Sequence, residues 1–343
     1  MPERMATTRD LDPNELAERV NEASRSWAPD AVVATTRPLP GGASSLTYLA
    51  ELNHAPESTV VVKVAVPGVE PVRNRDVLRQ ARLLRALESS DEVLVPRVLF
   101  EDGGDPPDVP PLFAMTFVEG EAFEPILDDL GDDSLPPPEH LERRAHDAAR
   151  VLAALHAVSP FAVGLGDEPE ISLADEVDRW VQTLSSVSDE FADAATAGAD
   201  RLHASRPSSV PSTVIHGDFR LGNTLCQGPT LRAVIDWEIW ARSDPRIDLA
   251  WFVMSCDAAA HPSAQRTAPG MPSTDALLAT YKKAGGPSVD GLDWFHALML
   301  FKLGATSALI AKHQLKRGDP TGIGARARDA VPDMLARADA ALP

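Results

Sequence analysis

The sequence predicts an α+β chain of two lobes, a sheet-forming first third followed by a mainly helical remainder, and three observations predict it. Length is the first: 343 residues exceed what one hydrophobic core commonly organises. The second is the β-branched run Thr59 to Val66, which holds a single charge, Lys63, and has strand-like runs on both sides. The third is the helical spacing of Leu141, Ala145, Ala148, Leu152 and Leu155.

Taken in order, Leu11 to Ser26 reads as a helix with Asp12 as N-cap and Pro13 in its first turn. Strands follow at Ala31 to Arg37, Leu46 to Leu52 and Thr59 to Val66, the first two separated by the turn Pro40-Gly41-Gly42. Arg73 to Leu87 is a charged amphipathic helix with Val77, Ala81, Leu84 and Leu87 on its apolar face. Two further strands, Arg97 to Glu101 and Leu112 to Val118, flank a turn rich in Gly, Asp and Pro. At Glu119-Gly120 the pattern becomes helical, which divides the chain into lobes 1–118 and 119–343. Glu121 to Pro138 is an acidic surface loop ending in prolines. Helices are expected at Glu139 to Val158 and Ile171 to His203. Short strands at Thr213 to Ile215 and Leu231 to Ile235 bracket a glycine-containing loop. Helices at Ile247 to Ser255, Ser273 to Ala284, Asp293 to Lys316 and Gly324 to Leu342 complete the chain.

Lys and Arg total 32 against 51 Asp and Glu, a formal charge of −19. So acidic a surface argues against a nucleic-acid groove, which needs cations for phosphates. It could draw in a cationic substrate, although a charge excess is more often a solvated face. Cys226 and Cys256 have no CxxC spacing, so neither a disulfide framework nor a zinc site is expected, and a reducing compartment fits. Met1 to Asp10 is polar, and no stretch reaches the ~18 apolar residues of a membrane span. The expectation is a cytoplasmic protein with no membrane partner. The oligomeric state is left open.

The chemistry concentrates between the two short strands. Asp218 and Asn223 stand five residues apart in the loop from His216 to Asn223, and Asp236 closes the next apolar strand. Phosphoryl transfer needs a carboxylate to orient a hydroxyl and take its proton, together with oxygen ligands for magnesium on the nucleotide phosphates. Asp218 suits the first role, Asn223 and Asp236 the second. Singly, such residues more often cap turns; the three together are a rarer pattern. Gly41, Gly42, Ala43 and Ser44, between two strands, can turn backbone N–H groups toward phosphate. A lysine within an apolar strand, Lys63, either reaches those phosphates or snorkels from an edge.

The runs His216-Gly217-Asp218-Phe219-Arg220-Leu221-Gly222-Asn223, Asp236-Trp237-Glu238 and Asp244-Pro245-Arg246-Ile247-Asp248-Leu249-Ala250-Trp251 resemble the aminoglycoside phosphotransferase family. Within it they are most similar to the branch that resembles the kinase-like domain attached to certain acyl-CoA dehydrogenases. The resemblance extends from about Leu39 to the chain end, specific in the middle and weak at the C-terminus. It implies a protein-kinase-like fold with a small antiparallel β-sheet lobe and a helical lobe. It implies ATP, with GTP as alternative, Mg2+, and a small-molecule hydroxyl as acceptor. By the same resemblance Leu112 to Gly120 is the hinge, where adenine pairs with the Thr116 carbonyl and the Val118 N–H and Met115 backs the pocket. His216 braces the loop, Asp248 ties the next helix to it, and Arg220 and Glu238 face the acceptor. One departure is Gln80, where the family has the glutamate that pairs with the strand lysine; Asp76, one turn earlier, is the other candidate partner for Lys63. The neutral amide leaves a nucleotide-binding pseudokinase as the competing reading. A protein kinase is disfavoured because few residues separate Asp236 from Asp244. The acceptor is either an aminoglycoside-like or amine cation, favoured by the acidic segments Glu119 to Asp133 and Asp167 to Asp178, or a hydroxylated metabolite, favoured by the branch.

Overall fold

The computed structural model describes residues 11–39, 44–127, 135–187, 189–318 and 322–342. It divides into two compact units, residues 1–122 with 163–165 and 223–240, and residues 123–162 with 166–222 and 241–343.

The first unit is built on a five-stranded antiparallel sheet. Its strands are β1 (Val32–Pro38), β2 (Ser45–Asn53), β3 (Thr59–Ala65), β4 (Val98–Asp102) and β5 (Leu112–Thr116), in the order β1-β2-β3-β5-β4. Alternation along β3 sends Val60, Val62 and Val64 to one face, where they form a core with Leu16, Val20, Phe100, Leu112 and Ala114. Leu16 and Val20 come from α1 (Pro13–Ser24), whose first turn is closed by Asp12 accepting the Asn14 N–H at 2.8 Å. Full burial of each such side chain stabilises by ~1.5–3 kcal/mol. The same alternation turns Lys63, paired with Thr47 and Phe113, to the opposite face.

That face meets α2 (Val77–Leu87). The helix expected from Arg73 begins later, after a 3-10 turn at Arg73–Arg75, because Asp76 caps it by accepting the Arg79 N–H at 3.0 Å. Strand β5 ends at Thr116, two residues short of the expected Val118. The strand expected at Leu231 to Ile235 is β8 (Thr230–Val234); its hairpin partner β7 (Thr224–Gln227) was not expected, and both belong to this unit. Backbone bonds hold them there: Val234 N–H to Leu94 O at 2.7 Å, and a reciprocal pair between Glu121 and Cys226 at 2.9 Å. The contact boundary therefore falls after Ala122 rather than Val118, and 223–240 returns to the first unit.

The second unit is helical apart from the two-stranded β6 (Thr213–Ile215) and β9 (Ala241–Ser243). Its helices are α3 (Pro138–Ala157), α4 (Leu173–Val187), α5 (Ala192–Ala204), α6 (Arg246–Cys256), α7 (Thr274–Lys283), α8 (Leu292–Lys316) and α9 (Ile323–Ala341). The single helix expected over 171–203 is broken into α4 and α5 by a 3-10 turn at Asp189–Phe191. The break follows Thr183, Ser185, Ser186, Ser188 and Asp189, residue types that favour caps and turns over a helix interior. The core gathers Trp180, Phe191, Trp251, Trp294, Phe295 and Phe301. Among the described residues α8 alone is long and apolar enough to cross a membrane, and 67% of its apolar window is buried inside the unit.

Candidate active site

In the first unit Lys63 is buried with its Nζ 3.4 Å from Gln80 Oε1 and 3.6 Å from Asp236 Oδ1. The alternative partner, Asp76, is occupied as the α2 cap. Gln80 Nε2 and Ser45 Oγ are buried and have no hydrogen-bond partner among the described residues. Ser45 stands opposite Ala65 and Lys63 opposite Thr47, so Ser45 shares the Lys63 face of the sheet. Asp236 follows β8 in the left-handed region, φ 67°, a conformation that Asp tolerates better than most residues. Its side chain is 40% exposed. Asn223 ends a 3-10 turn, and its carbonyl accepts the Ile235 N–H at 2.9 Å, which fixes it beside the residue preceding Asp236. Ser44 donates to the Glu238 carboxylate. Gly42 and Ala43 lie outside the described residues.

The hinge candidates sit at the end of β5. Met115 pairs with Val61 and Val98. Thr116 is tied on its β4 side, its N–H to Arg97 O at 2.9 Å and its Oγ1 accepting the Arg97 N–H at 3.0 Å. Val118 follows in irregular backbone after the exposed Phe117.

In the second unit β6 delivers the loop His216-Gly217-Asp218, and α6 grips it. Asp248, fully buried in the first turn of α6, accepts the His216 N–H at 2.6 Å and the Gly217 N–H at 2.8 Å. His156 Nε2 lies 3.4 Å from the same carboxylate, and Tyr281 OH holds His156 Nδ1 at 2.7 Å. Burial pushes the Asp248 carboxyl up, but the His156 hydrogen bond, the imidazoles of His156 and His216 and the backbone N–H outweigh it and hold it below the ordinary value. His216 Nδ1 accepts the Asp218 N–H at 3.2 Å, a brace within the loop. Gly217 has φ 87°, a value that favours glycine.

The Asp218 carboxylate is held at both oxygens. Trp251 Nε1–H donates to Oδ1 at 2.7 Å, and Arg220 Nε lies 3.3 Å from Oδ2. Arg220 also donates to Glu124 Oε2 at 2.6 Å, and that oxygen takes the Gly222 N–H at 3.0 Å. Burial pulls the Arg220 guanidinium down, but the Asp218 and Glu124 carboxylates raise it above its ordinary value. Lys302 of α8 donates to Gly217 O at 2.7 Å.

Of the residues expected from sequence, the structure groups Ser44, Lys63, Gln80, Asn223, Asp236 and Glu238 in the first unit, and His216, Asp218, Arg220 and Asp248 in the second. Trp251, Glu124 and Lys302 were given no role from sequence. Trp251 had a signal, its place three residues after Asp248 and thus on one side of α6. Lys302 had the same signal as Lys63, a lone charge in an apolar run. Glu124 had none.

The APH sequence pattern, described as the phosphotransferase enzyme family, matches residues 35–298. The chain belongs to that family. The chain is 27% identical over 256 residues to acyl-CoA dehydrogenase family member 10 of Mus musculus, a match that takes in 69% of this chain and 23% of that one. It spans less than two thirds of the length of the curated relatives it matches. Among solved structures, a Ralstonia eutropha protein assigned to the aminoglycoside phosphotransferases superposes with a TM-score of 0.75 at 22% identity, over 96% of this chain and 98% of that one. The GDP and kanamycin complex of an aminoglycoside 2''-phosphotransferase gives 0.64 at 16% identity, over 93% and 99%. The phosphotransferase family thus brings with it the kinase-like α+β fold seen here.

Proposed function

We propose that the protein moves the γ-phosphate of ATP, with GTP the alternative donor, to a hydroxyl of a small molecule, with Asp218 as base. The observation that carries this is the hold on the Asp218 carboxylate, one oxygen bound by Trp251 and the other beside Arg220, on a loop whose two preceding N–H groups are bound by Asp248. A carboxylate fixed in this way can align a hydroxyl and accept its proton. Gln80 Nε2 and Ser45 Oγ, buried on the Lys63 face without partners among the described residues, are donors suited to phosphate oxygens. Asn223 and Asp236 offer the hard oxygen ligands that Mg2+ takes alongside phosphate. Bound there, the ion would offset charge on the phosphates, and Lys63 would add to that. Cys226 and Cys256, both buried and neither in a disulfide, suit a reducing compartment.

The acceptor has two candidate classes. The kanamycin complex of the solved relative favours a polyamine sugar, and the likeness to the mouse protein favours a hydroxylated metabolite. The neutral Gln80 favours a second reading, a nucleotide-binding regulatory module without transfer. Nucleotide consumption screened against a panel of metabolites and antibiotics, with Asp218→Asn as the blank, tests both. Asp218→Asn is expected to bind Mg-nucleotide as the parent does and to lose turnover by ~10²–10⁴-fold. Equal turnover would remove Asp218 from the mechanism. A magnesium-dependent thermal shift with no transfer to any panel member would favour the regulatory module.

A further inference from the structure

From Ala297 to Leu303, α8 carries one charge, Lys302, among Leu298, Met299, Leu300 and Phe301. The side chain is buried, and its Nζ donates to a backbone carbonyl, Gly217 O, at 2.7 Å. The ammonium lies 5.1 Å from the Trp251 ring centroid and 5.6 Å from that of Trp180, two faces that attract a cation. Both rings are anchored through their N–H groups, Trp251 to Asp218 Oδ1 at 2.7 Å and Trp180 to Glu176 Oε1 at 2.8 Å. Burial pulls the Lys302 ammonium below its ordinary value, against the carboxylates of Asp218, Glu176 and Asp248, with Arg179 acting in the same direction as burial. An apolar side chain in this position would avoid the desolvation of a charge. Its retention asks for a use.

We propose that Lys302 is the positioning residue for Asp218: it holds the residue before the base by its carbonyl and steadies the Trp251 ring that donates to the base. The proposal rests on the phosphotransferase reading for what the base does, and on the structure alone for what Lys302 holds. Gly217, at φ 87°, is a pivot. Asp248 fixes the N–H side of that pivot and Lys302 the carbonyl side, so the loop is clamped from α6 and α8 together. With Lys302 gone, Gly217 O loses a buried partner and Trp251 a charge beneath its ring. Displacement of the carboxylate by about 1 Å suffices to cost ~10²-fold in rate.

The test is Lys302→Met, which keeps length and apolar packing, compared with Lys302→Arg in the full chain. Three readouts apply: calorimetric affinity for Mg-ATP, kcat and KM on an acceptor found by the panel, and amide hydrogen exchange of a peptide covering His216 to Gly222. Lys302→Met is expected to keep nucleotide affinity within ~2-fold, to speed exchange in that peptide selectively, and to lower kcat by ~10²-fold. Lys302→Arg should recover part of both. Unchanged kcat with unchanged loop exchange overturns the proposal, as does faster exchange spread evenly over the second unit. If the parent protein phosphorylates no acceptor, the phosphotransferase reading fails, and loop exchange still decides whether Lys302 holds the loop. Should Lys302→Met not fold, Trp180→Phe weakens the cage at the ring that donates to Glu176 rather than to Asp218. It should lower kcat several-fold and loosen the same peptide, and no change in either would overturn the proposal.

Discussion

An ammonium beside a primary amide decides which way round the amide sits. Lys63 takes Gln80 Oε1, so Nε2, a donor with two protons, is turned away from it and has no partner among the described residues. The glutamate of the resemblance would give Lys63 an ion pair and offer no donor at all. Gln80 therefore orients Lys63 and keeps a second polar group, Nε2, without a partner among the described residues, the N–H proposed above to meet a phosphate oxygen. Asp76, the other candidate, is committed to the Arg79 N–H. The two substitutions should separate cleanly. Gln80→Ala is expected to raise the calorimetric Kd for Mg-ATP by ~10–100-fold, the worth of about one hydrogen bond to a charged group. Asp76→Ala should leave that Kd unchanged and lower unfolding stability by ~1 kcal/mol, the worth of an N-cap. The reverse result would return the partner role to Asp76.

At the scale of elements, α6 does most to order the loop from His216 to Asp218. Its first turn presents Asp248 to the His216 and Gly217 N–H groups, and Trp251, three residues on, presents an N–H to Asp218. Asp248→Asn leaves one oxygen where two are used and sets an amide N–H against a backbone N–H. The expected cost is ~3 kcal/mol in denaturant unfolding, with turnover reduced even where the variant is fully folded. A variant as stable as the parent would show that the loop is held elsewhere. Much of this element was legible in the sequence, because Asp218, Asn223, Asp236 and Asp248 fall at fixed spacings in named loops and turns. Trp251 was in view without a role, since a motif gives residue order and not which N–H meets which oxygen. The break between α4 and α5, and β7 with its pairing to the expected β8, were missed for a related reason. Three or four residues carry too little periodicity, and the hairpin is held by backbone bonds to Leu94 and Glu121 that leave no side-chain trace.

Across the whole molecule, the α+β division was legible because strand alternation and helical spacing are long-range patterns. The chain's return of 223–240 to the first unit was not, because it depends on contacts far apart in sequence. The response to pH is likewise a property of packing. His261 lies in the second unit, its ring 5.8 Å from that of Trp251, and it feels the charges of Arg337 and Arg220. Its Nδ1 accepts the Ser263 N–H at 3.1 Å, which suits the neutral imidazole. Burial first, then Arg337 and Arg220, lowers it from 6.5 to about 4. Between those values the unfolded chain binds a proton that the folded chain refuses, so stability falls as pH falls from 6.5 toward 4, by about 3 kcal/mol in all. Asp248, held below its ordinary 3.8, contributes stability that is lost only below that window. His261→Asn keeps an acceptor for Ser263 and removes the titration. Denaturant unfolding at pH 7.5, 6, 5 and 4.5 (roughly the span of the window) should then give a flatter stability profile for the variant, converging on or exceeding the parent at the acid end. Parallel profiles would place the acid sensitivity in the carboxylates instead.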